Sequence, residues 1–162
     1  MNIIQPAAAQ LSPELIDQFR TIVGDKYAVT DAADIAPYTT EERDLFRGHS
    51  PLVLRPGSTA EVSAICKLAS AHRIALVPQG GNTGLVGGQT PHNGEVVISL
   101  RRLDRIREVD TASNTMTCEA GVILQVAQQR AAEVDRLFPL SLGAEGSCTI
   151  GGNLSTNAGG TA

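Results

Sequence analysis

The sequence predicts an α+β fold of two small sheets with helices, because three patterns follow one another along the chain. An apolar run at 52–54, a helix signal at Ser58 and a second apolar run at 74–77 are joined by short connections, which is typical of a parallel βαβ unit. Two alternating segments around residues 111–114 then predict a hairpin. We therefore expect a parallel βαβ subdomain over about 52–77, followed by a mixed or antiparallel subdomain that is incomplete at its C-terminal end.

The residues before the βαβ unit carry two helix signals. One helix is predicted from Ser12, a capping hydroxyl followed by Pro and Glu, to Gly24, since these residues suit the two ends of a helix. A second, short helix is predicted over 30–38, ended by Pro37.

The predicted elements from residue 45 onward belong to one domain. Ser58 and Glu61 match a capping box, which begins a helix that extends to about His72. The other predicted elements are strands at 95–100, 106–109 and 115–120 and a helix at 122–134. We assign residues 45–162 to this domain and residues 1–44 to a helical arm that wraps its outside.

Composition excludes several classes of function. Aromatic residues make up 3% of the chain and Trp is absent, which disfavours a nucleic-acid module built on base stacking. The formal net charge of −4 likewise argues against binding a phosphate backbone. No apolar run reaches the roughly 18 residues of a membrane span, no signal-peptide pattern begins the chain, and none of the three Cys residues forms a CxxC pair. These features predict a cytoplasmic protein with no nucleic-acid partner and no membrane span.

A glycine-rich loop follows the predicted strand at 74–77 directly. It reads PQGGNTGLVGG, residues 78–88, with five glycines in eleven positions. Glycines allow successive backbone N–H groups to point into one concavity, which suits an anion with several oxygens. Because the loop contains no basic residue, its amide dipoles would hold the phosphate, which favours a diphosphate embedded in a large cofactor.

Two common nucleotide-binding loops do not match this segment. A P-loop requires a Lys after its last Gly, and a Rossmann loop requires the spacing GxGxxG at the start of a helix. The spacing of Gly80, Gly81 and Gly84 fits neither, and further loop follows. On composition alone, a flexible surface loop stays open as an alternative.

The sequence of this glycine loop resembles that of the pyrophosphate loop in flavoproteins related to vanillyl-alcohol oxidase and p-cresol methylhydroxylase. FPLSLG at 138–143, GSCTIGGN at 146–153 and TNAGG at 156–160 resemble the second flavin-binding stretch of that family. The resemblance extends from about residue 45 to the end of the sequence. Within the family it is greatest to the D-2-hydroxyglutarate and D-lactate dehydrogenases and to the glycolate oxidase D subunit.

The resemblance implies an FAD site in a crevice bordered by both glycine-rich segments. The glycine loop would hold the diphosphate, and the second stretch (residues 138–160) would line the flavin and ribityl region. The implied residues of the loop are Pro78, Gly80, Gly81, Asn82, Thr83, Gly84, Leu85 and Gly88. Those of the second stretch are Pro139, Leu140, Gly143, Ser147, Cys148, Gly151, Gly152, Asn153, Thr156, Asn157 and Ala158.

Asn82 occupies the position at which covalently flavinylated relatives carry a His. An amide cannot act as the attacking nucleophile, so the resemblance implies FAD that is bound non-covalently. The resemblance also places the catalytic base, a substrate-binding Arg and the metal ligands in a later cap domain and C-terminal segment. No catalytic residue and no metal ligand is therefore assigned in this chain.

The implied reaction is hydride transfer from a D-2-hydroxy acid, such as 2-hydroxyglutarate, lactate or glycolate, to flavin. The sequence does not specify the electron acceptor. A homo-oligomeric state is compatible with it. Two other functions remain alternatives: an FAD-dependent oxidase of another alcohol or sugar on the same scaffold, and a non-catalytic module for another diphosphate ligand. Since the sequence ends in a glycine-rich loop, we interpret it as a truncated domain and expect it alone to be inactive and to bind FAD weakly.

Overall fold

The computed structural model describes residues 11–160, so the expectations for residues 1–10 and 161–162 lie outside the described part. The helices are α1 (Pro13–Val23), α2 (Ala32–Thr39), α3 (Thr59–His72), α4 (Leu124–Ala132) and α5 (Ile150–Ser155). The strands are β1 (Ala28–Val29), β2 (Val53–Leu54), β3 (Leu76–Gln79), β4 (Val96–Ser99), β5 (Ile106–Asp110) and β6 (Thr115–Cys118). These strands form two sheets, which confirms the predicted α+β class.

The first sheet is mixed, with the strand order β1-β2-β4-β3. Strands β2 and β3 are both parallel to β4, and β1 joins the edge of β2 in the antiparallel direction. The predicted βαβ unit is present, but β4 lies between its two strands and all four residues of β4 are buried. Pro78 lies within β3 rather than ending it, because β3 is an edge strand, where a missing N–H is tolerated.

Helices cover both faces of this sheet. Phe19 of α1 and Ile65 of α3 are fully buried against Leu54 on one face. On the other face, Ile35 of α2 packs against Val53 and Val97. The described part of the predicted arm therefore shares its core with the sheet. A domain boundary at residue 44 stays a prediction.

The helix ends follow local capping chemistry, with one departure from expectation. The side chain of Ser12 accepts a hydrogen bond from the N–H of Leu15 at 3.3 Å, and Ser58 accepts one from Glu61 at 3.2 Å. Helix α2 does not end at Pro37 but continues through it to Thr39. Both Ile35 and Thr39 of α2 are buried, and this packing outweighs the hydrogen bond that the proline removes.

The second sheet is the predicted antiparallel hairpin of β5 and β6, with a bulge near Ile106. Helix α4 begins at Leu124, two residues later than predicted, because Ile123 is extended and forms an antiparallel bridge with Thr149. The buried face of the helix consists of Leu124, Ala127 and Ala131, whereas Val126 is 43% exposed. Within the described residues, no helix is long and apolar enough to cross a membrane.

Candidate functional site

A cleft of about 820 Å³ lies between the glycine loop and the second stretch. Most of the residues that the resemblance implied line it. From the loop these are Pro78, Gly80, Gly81, Asn82, Thr83, Gly84, Leu85 and Gly88. From the second stretch they are Gly143, Cys148, Gly151, Gly152, Asn153, Thr156 and Ala158. Two segments far apart in the sequence are thus brought together around one cavity.

Four of the implied residues do not line this cleft. Pro139 and Asn157 are exposed to solvent. The carbonyl of Leu140 accepts a hydrogen bond at 2.8 Å from the side chain of Gln128 on α4. Ser147 contributes its backbone to the contact with the glycine loop, while its hydroxyl points back toward the carbonyl of Ala144 at 3.4 Å.

The carbonyl groups of the glycine loop are held by side chains from other segments. Arg101, which follows β4, donates from Nε to the Gly80 carbonyl at 3.1 Å and from Nη2 to the Gly81 carbonyl at 2.7 Å. Gln89 donates to the carbonyl of Gly84 at 2.7 Å. The carbonyl of Leu85 accepts a hydrogen bond from Arg43. These three side chains fix the orientation of the loop's peptide planes.

The backbone N–H groups of the same loop point the other way. In a trans peptide the C=O of one residue and the N–H of the next are opposed, so the N–H groups of Gly81 and Asn82 face away from Arg101. Among residues 11–160, no acceptor is found for the N–H groups from Gly81 to Leu85. A row of unpaired N–H groups at a cavity wall is a binding surface for an anion.

The two glycine-rich segments approach one another so closely that side chains are excluded. A Cβ on Gly80 would overlap the hydroxyl of Thr149, and a Cβ on Gly81 would overlap the backbone carbonyl of Ser147. The glycine pair is therefore required by this crossing as well as by the exposure of the N–H groups.

Thr149 is a cleft residue that the sequence analysis did not identify. Its side chain is only 2% exposed, and its Oγ1 has no hydrogen-bond partner among the described residues. A buried hydroxyl without a partner is unfavourable and is uncommon in native proteins. An oxygen-rich group in the cleft would provide that partner, so this site fits a phosphate-bearing cofactor. The only sequence signal was its position beside Cys148 in the second stretch.

Asn82 lines the cleft, but its side-chain amide is bonded to an earlier part of the chain. Its backbone is left-handed, with φ of 59°, a conformation that Asn tolerates better than most residues. Its side-chain amide donates to the carbonyls of Pro37 at 3.1 Å and Thr40 at 2.8 Å. The side chain thus ties the glycine loop to the end of α2.

A buried Gln supports the base of the loop. Gln79, at the end of β3, is 3% exposed, and its amide donates to the carbonyls of Tyr38 at 2.9 Å and Gln89 at 3.1 Å. Its burial and paired bonds were not visible from the local pattern.

The segment between α2 and β2 contributes a buried carboxylate. The side chain of Glu41 is fully buried and accepts hydrogen bonds from the N–H groups of Arg43 at 2.9 Å and Leu45 at 2.6 Å. The bond from the Arg43 N–H is the main cause that lowers the pKa of Glu41, against a cost of burial. This ionised carboxylate fixes the turn that presents Arg43 to the glycine loop.

Several backbone N–H groups of the second stretch have acceptors within the domain. Cys148 donates from its N–H to the carbonyl of Ala144 at 2.7 Å, and Gly151 donates to Ala120 at 2.8 Å. Helix α5 begins directly after Thr149. It was not predicted, because two adjacent glycines disfavour a helix. A Cβ on Gly151 would lie 2.7 Å from the Cβ of Ala120, so this glycine permits close packing.

A second carboxylate anchors the segment on which α5 rests. Glu119 is 6% exposed, and its Oε1 accepts hydrogen bonds at 2.9 Å from both Arg105 and Arg107. These two guanidinium groups lower the pKa of Glu119 to about 2. The ionised side chain holds residues 119–121 in place beneath the second stretch. Within residues 11–160, no three His, Cys, Asp or Glu side chains are grouped so as to hold a metal ion.

Comparison with known proteins identifies the family of this chain. A family model described as an FAD binding domain matches residues 50–162, which is more than half of the chain. The mitochondrial D-2-hydroxyglutarate dehydrogenase of Arabidopsis thaliana is 41% identical over 155 residues, covering 96% of this chain and 28% of that protein. The chain thus spans less than a third of the length of this curated relative.

Solved structures share the fold at lower identity. An alkyldihydroxyacetonephosphate synthase superposes with a TM-score of 0.84 at 21% identity, over 96% of this chain and 33% of that one. p-Cresol methylhydroxylase superposes with a TM-score of 0.72 at 18% identity, over 87% of this chain and 28% of that one. At this identity the likeness concerns the fold, and it agrees with the resemblance drawn from the sequence.

One expectation is overturned by the relatives. The prediction of a cytoplasmic protein is wrong, because the Arabidopsis thaliana relative and others of similar identity are mitochondrial by name. The prediction depended on the absence of a signal-peptide pattern, which does not report on mitochondrial targeting. The match over residues 50–162 and the glycine-lined cleft lead to the same conclusion: the chain belongs to the FAD-binding domain family.

Proposed function

We propose that the protein is an FAD-dependent dehydrogenase of a D-2-hydroxy acid, with D-2-hydroxyglutarate as the first substrate to test. The observation that carries this proposal is the 41% identity over 155 residues to a D-2-hydroxyglutarate dehydrogenase. D-Lactate and glycolate are the further candidates in the same chemical class. The names of the relatives also support a mitochondrial location.

The glycine loop holds the diphosphate of FAD in this proposal. The unpaired N–H groups from Gly81 to Leu85 donate to the phosphate oxygens, while Arg101 and Gln89 hold the carbonyls away from the anion. Oriented amides bind an anion without the mobility of a charged side chain. The hydroxyl of Thr149 adds a donor from the opposite wall.

The second stretch forms the wall along the rest of the cofactor. Cys148, Asn153 and Ala158 line the cleft beside its glycines, and the bonded backbone of α5 keeps this wall fixed. FAD, when bound, supplies a flavin ring that accepts a hydride from the alcohol carbon. Asn82 supports non-covalent binding, since its amide is not a nucleophile and is bonded to Pro37 and Thr40.

The groups that move the substrate proton are proposed to lie outside these residues. Among the described residues, Glu42 is the only carboxylate that lines the cleft, and no His or Lys lines it. A base must lie within hydrogen-bond reach of the proton it removes. We therefore expect the 162 residues alone to be inactive and to bind FAD weakly. The electron acceptor and a homo-oligomeric state remain to be tested on the whole protein.

The test is anaerobic reduction of the flavin in the purified full-length protein that carries this chain. D-2-Hydroxyglutarate, D-lactate and glycolate are added separately, and the visible absorbance of the flavin is followed. Rapid bleaching by D-2-hydroxyglutarate or D-lactate, but not by the matching L-enantiomer, supports the proposal, as does bleaching by the achiral glycolate. Bleaching only by a sugar or an aryl alcohol would instead assign an oxidase on the same scaffold, which the likeness to p-cresol methylhydroxylase makes the second candidate.

A further inference from the structure

A second cavity of about 420 Å³ lies on the other side of the glycine pair. We call it the basic pocket, and among the described residues it shares only Gln79 with the cofactor cleft. Its lining residues are Lys26, Val29, Ala33, Asp34, Pro37, Tyr38, Arg55, Gln79 and Arg101. Three cations and one carboxylate thus face one small cavity.

The position of the basic pocket in the fold favours a ligand. Arg55, Gln79 and Arg101 follow or end the three parallel strands β2, β3 and β4. Ligands in open α/β sheets bind beyond the carboxyl ends of parallel strands. The pocket therefore lies where such sheets place their binding sites.

Within the described part of the chain, none of the three cations of the basic pocket is paired with a carboxylate. Among residues 11–160, Lys26, Arg55 and Arg101 form no salt bridge, although six other arginines do. Asp34 lines the same pocket without pairing to any of them. Like charges that converge from separate segments repel one another unless an anion lies between them.

Arg55 gives the most specific evidence that a hydrogen-bond acceptor is missing from the basic pocket. Its Nε is buried and has no hydrogen-bond acceptor among the described residues. Its backbone is fixed, since its N–H donates to Tyr27 at 2.9 Å and its carbonyl accepts from Arg102 at 2.6 Å. A buried guanidinium N–H on a fixed backbone is preorganised for an oxyanion.

We infer that the basic pocket binds a phosphate group, either free or on a small organic molecule, at a site separate from the cofactor cleft. Lys26 and Arg55 supply charge from two sides, and Arg101 has donors left after its bonds to Gly80 and Gly81. Such convergence suits a tetrahedral, multiply charged anion. The apolar wall of Val29, Ala33 and Pro37 leaves room for a small organic group on a phosphate ester.

The test measures phosphate binding to the purified full-length protein that carries this chain, by calorimetry and thermal unfolding. Inorganic phosphate and glycerol 3-phosphate are titrated at constant ionic strength, with and without saturating FAD. Lys26→Gln and Arg55→Gln each remove one cation, and Lys67→Gln on the exposed side of α3 is the matched control. Lys26 is exposed, so its variant is expected to fold even where Arg55→Gln does not.

The expected result is saturable binding that Lys26→Gln and Arg55→Gln each weaken by about tenfold, the loss of one charge-assisted bond. The Lys67→Gln control and FAD should leave it unchanged. Tighter binding of the ester than of inorganic phosphate would identify a phosphorylated small molecule, and equal binding would identify free phosphate. Absence of saturable binding, binding by both variants as tight as that of the native protein, or displacement of phosphate by FAD would overturn the inference.

Discussion

The glycine loop and the second stretch border the same cleft, yet they differ in how much of their backbone is already hydrogen-bonded. In the loop, four carbonyl groups are bonded to Arg101, Gln89 and Arg43, and the N–H groups from Gly81 to Leu85 have no acceptor among the described residues. In the second stretch, the N–H groups of Cys148 and Gly151 are bonded within the domain. The glycine loop therefore offers hydrogen-bond donors to the cleft, and the second stretch forms a supporting wall.

This difference shows that glycine has two separate uses in one site. In the loop, the glycine pair permits a close crossing and leaves amides available to an anion. In the second stretch, Gly151 permits close packing of α5 against Ala120. A shared composition therefore does not imply a shared role, and substitutions in the two segments should have separable effects.

The largest effect is expected for Gly81→Ala. The added Cβ would overlap the Ser147 carbonyl, and backbone cannot yield as a flexible side chain can. We expect unfolding stability to fall by about 1–3 kcal/mol and FAD binding to be lost. Urea denaturation and FAD titration measure the two effects. Gly88→Ala is the stability control, because its Cβ would meet nothing within 4 Å.

Gly151→Ala should separate stability from cofactor binding. Its Cβ would lie 2.7 Å from the Cβ of Ala120, so we expect a loss of about 1–2 kcal/mol in stability and a small change in FAD affinity. Gly159→Ala, with open space around it, should leave stability unchanged. An FAD affinity as low as that of Gly81→Ala would show that the two segments do not differ as described.

Arg101→Gln tests how the carbonyl side of the loop is held. The change removes the paired donors to Gly80 and Gly81, so the loop's N–H groups lose a fixed direction. We expect FAD affinity to fall by about tenfold with little change in unfolding temperature. Arg130→Gln, at an exposed position on α4, is the control. Equal FAD affinity in both variants would contradict a positioning role for Arg101.

The smallest effect on FAD binding at neutral pH is expected at Glu119, which supports the second stretch. Its pKa is lowered from 4.5 to about 2 by Arg105 and Arg107, so its contribution to stability is complete above pH 4.5 and is lost as the pH falls toward 2. Denaturation curves at several acid pH values should show a shallower decline for Glu119→Gln than for the native chain. Glu108→Gln, an exposed carboxyl on β5, should decline as the native chain does.

Much of the fold could be predicted because local signals agreed with the tertiary structure. Ser12 and Ser58 cap the helices they were expected to begin, and the hairpin forms where alternation predicted it. The failures have a common origin in contacts that are distant in sequence. Helix α2 passes through Pro37 because its buried face packs on the sheet, and α4 starts late because Ile123 bridges to Thr149.

The location of the candidate site could be predicted from the sequence, but the side chains that hold its glycine loop in place could not. Its glycine motifs identified the two walls of the cleft. Arg101 and Arg43, which orient the loop, lie between 20 and 42 positions away from their bonded partners. Gln79 at its base bonds to Tyr38, 41 positions away. Only Gln89, five positions from Gly84, is a local contact. Thr149 was missed because nothing in its local sequence indicates a buried, unpaired hydroxyl.

The central claim is that the unpaired N–H groups of the glycine loop bind the diphosphate of FAD. Titration of the isotope-labelled chain with FAD, followed by two-dimensional amide NMR, tests it residue by residue and tolerates weak binding. The amide protons of Gly81, Asn82, Thr83, Gly84 and Leu85 should move downfield as they form hydrogen bonds. If these resonances stay in place while amides elsewhere in the cleft respond, the claim is contradicted.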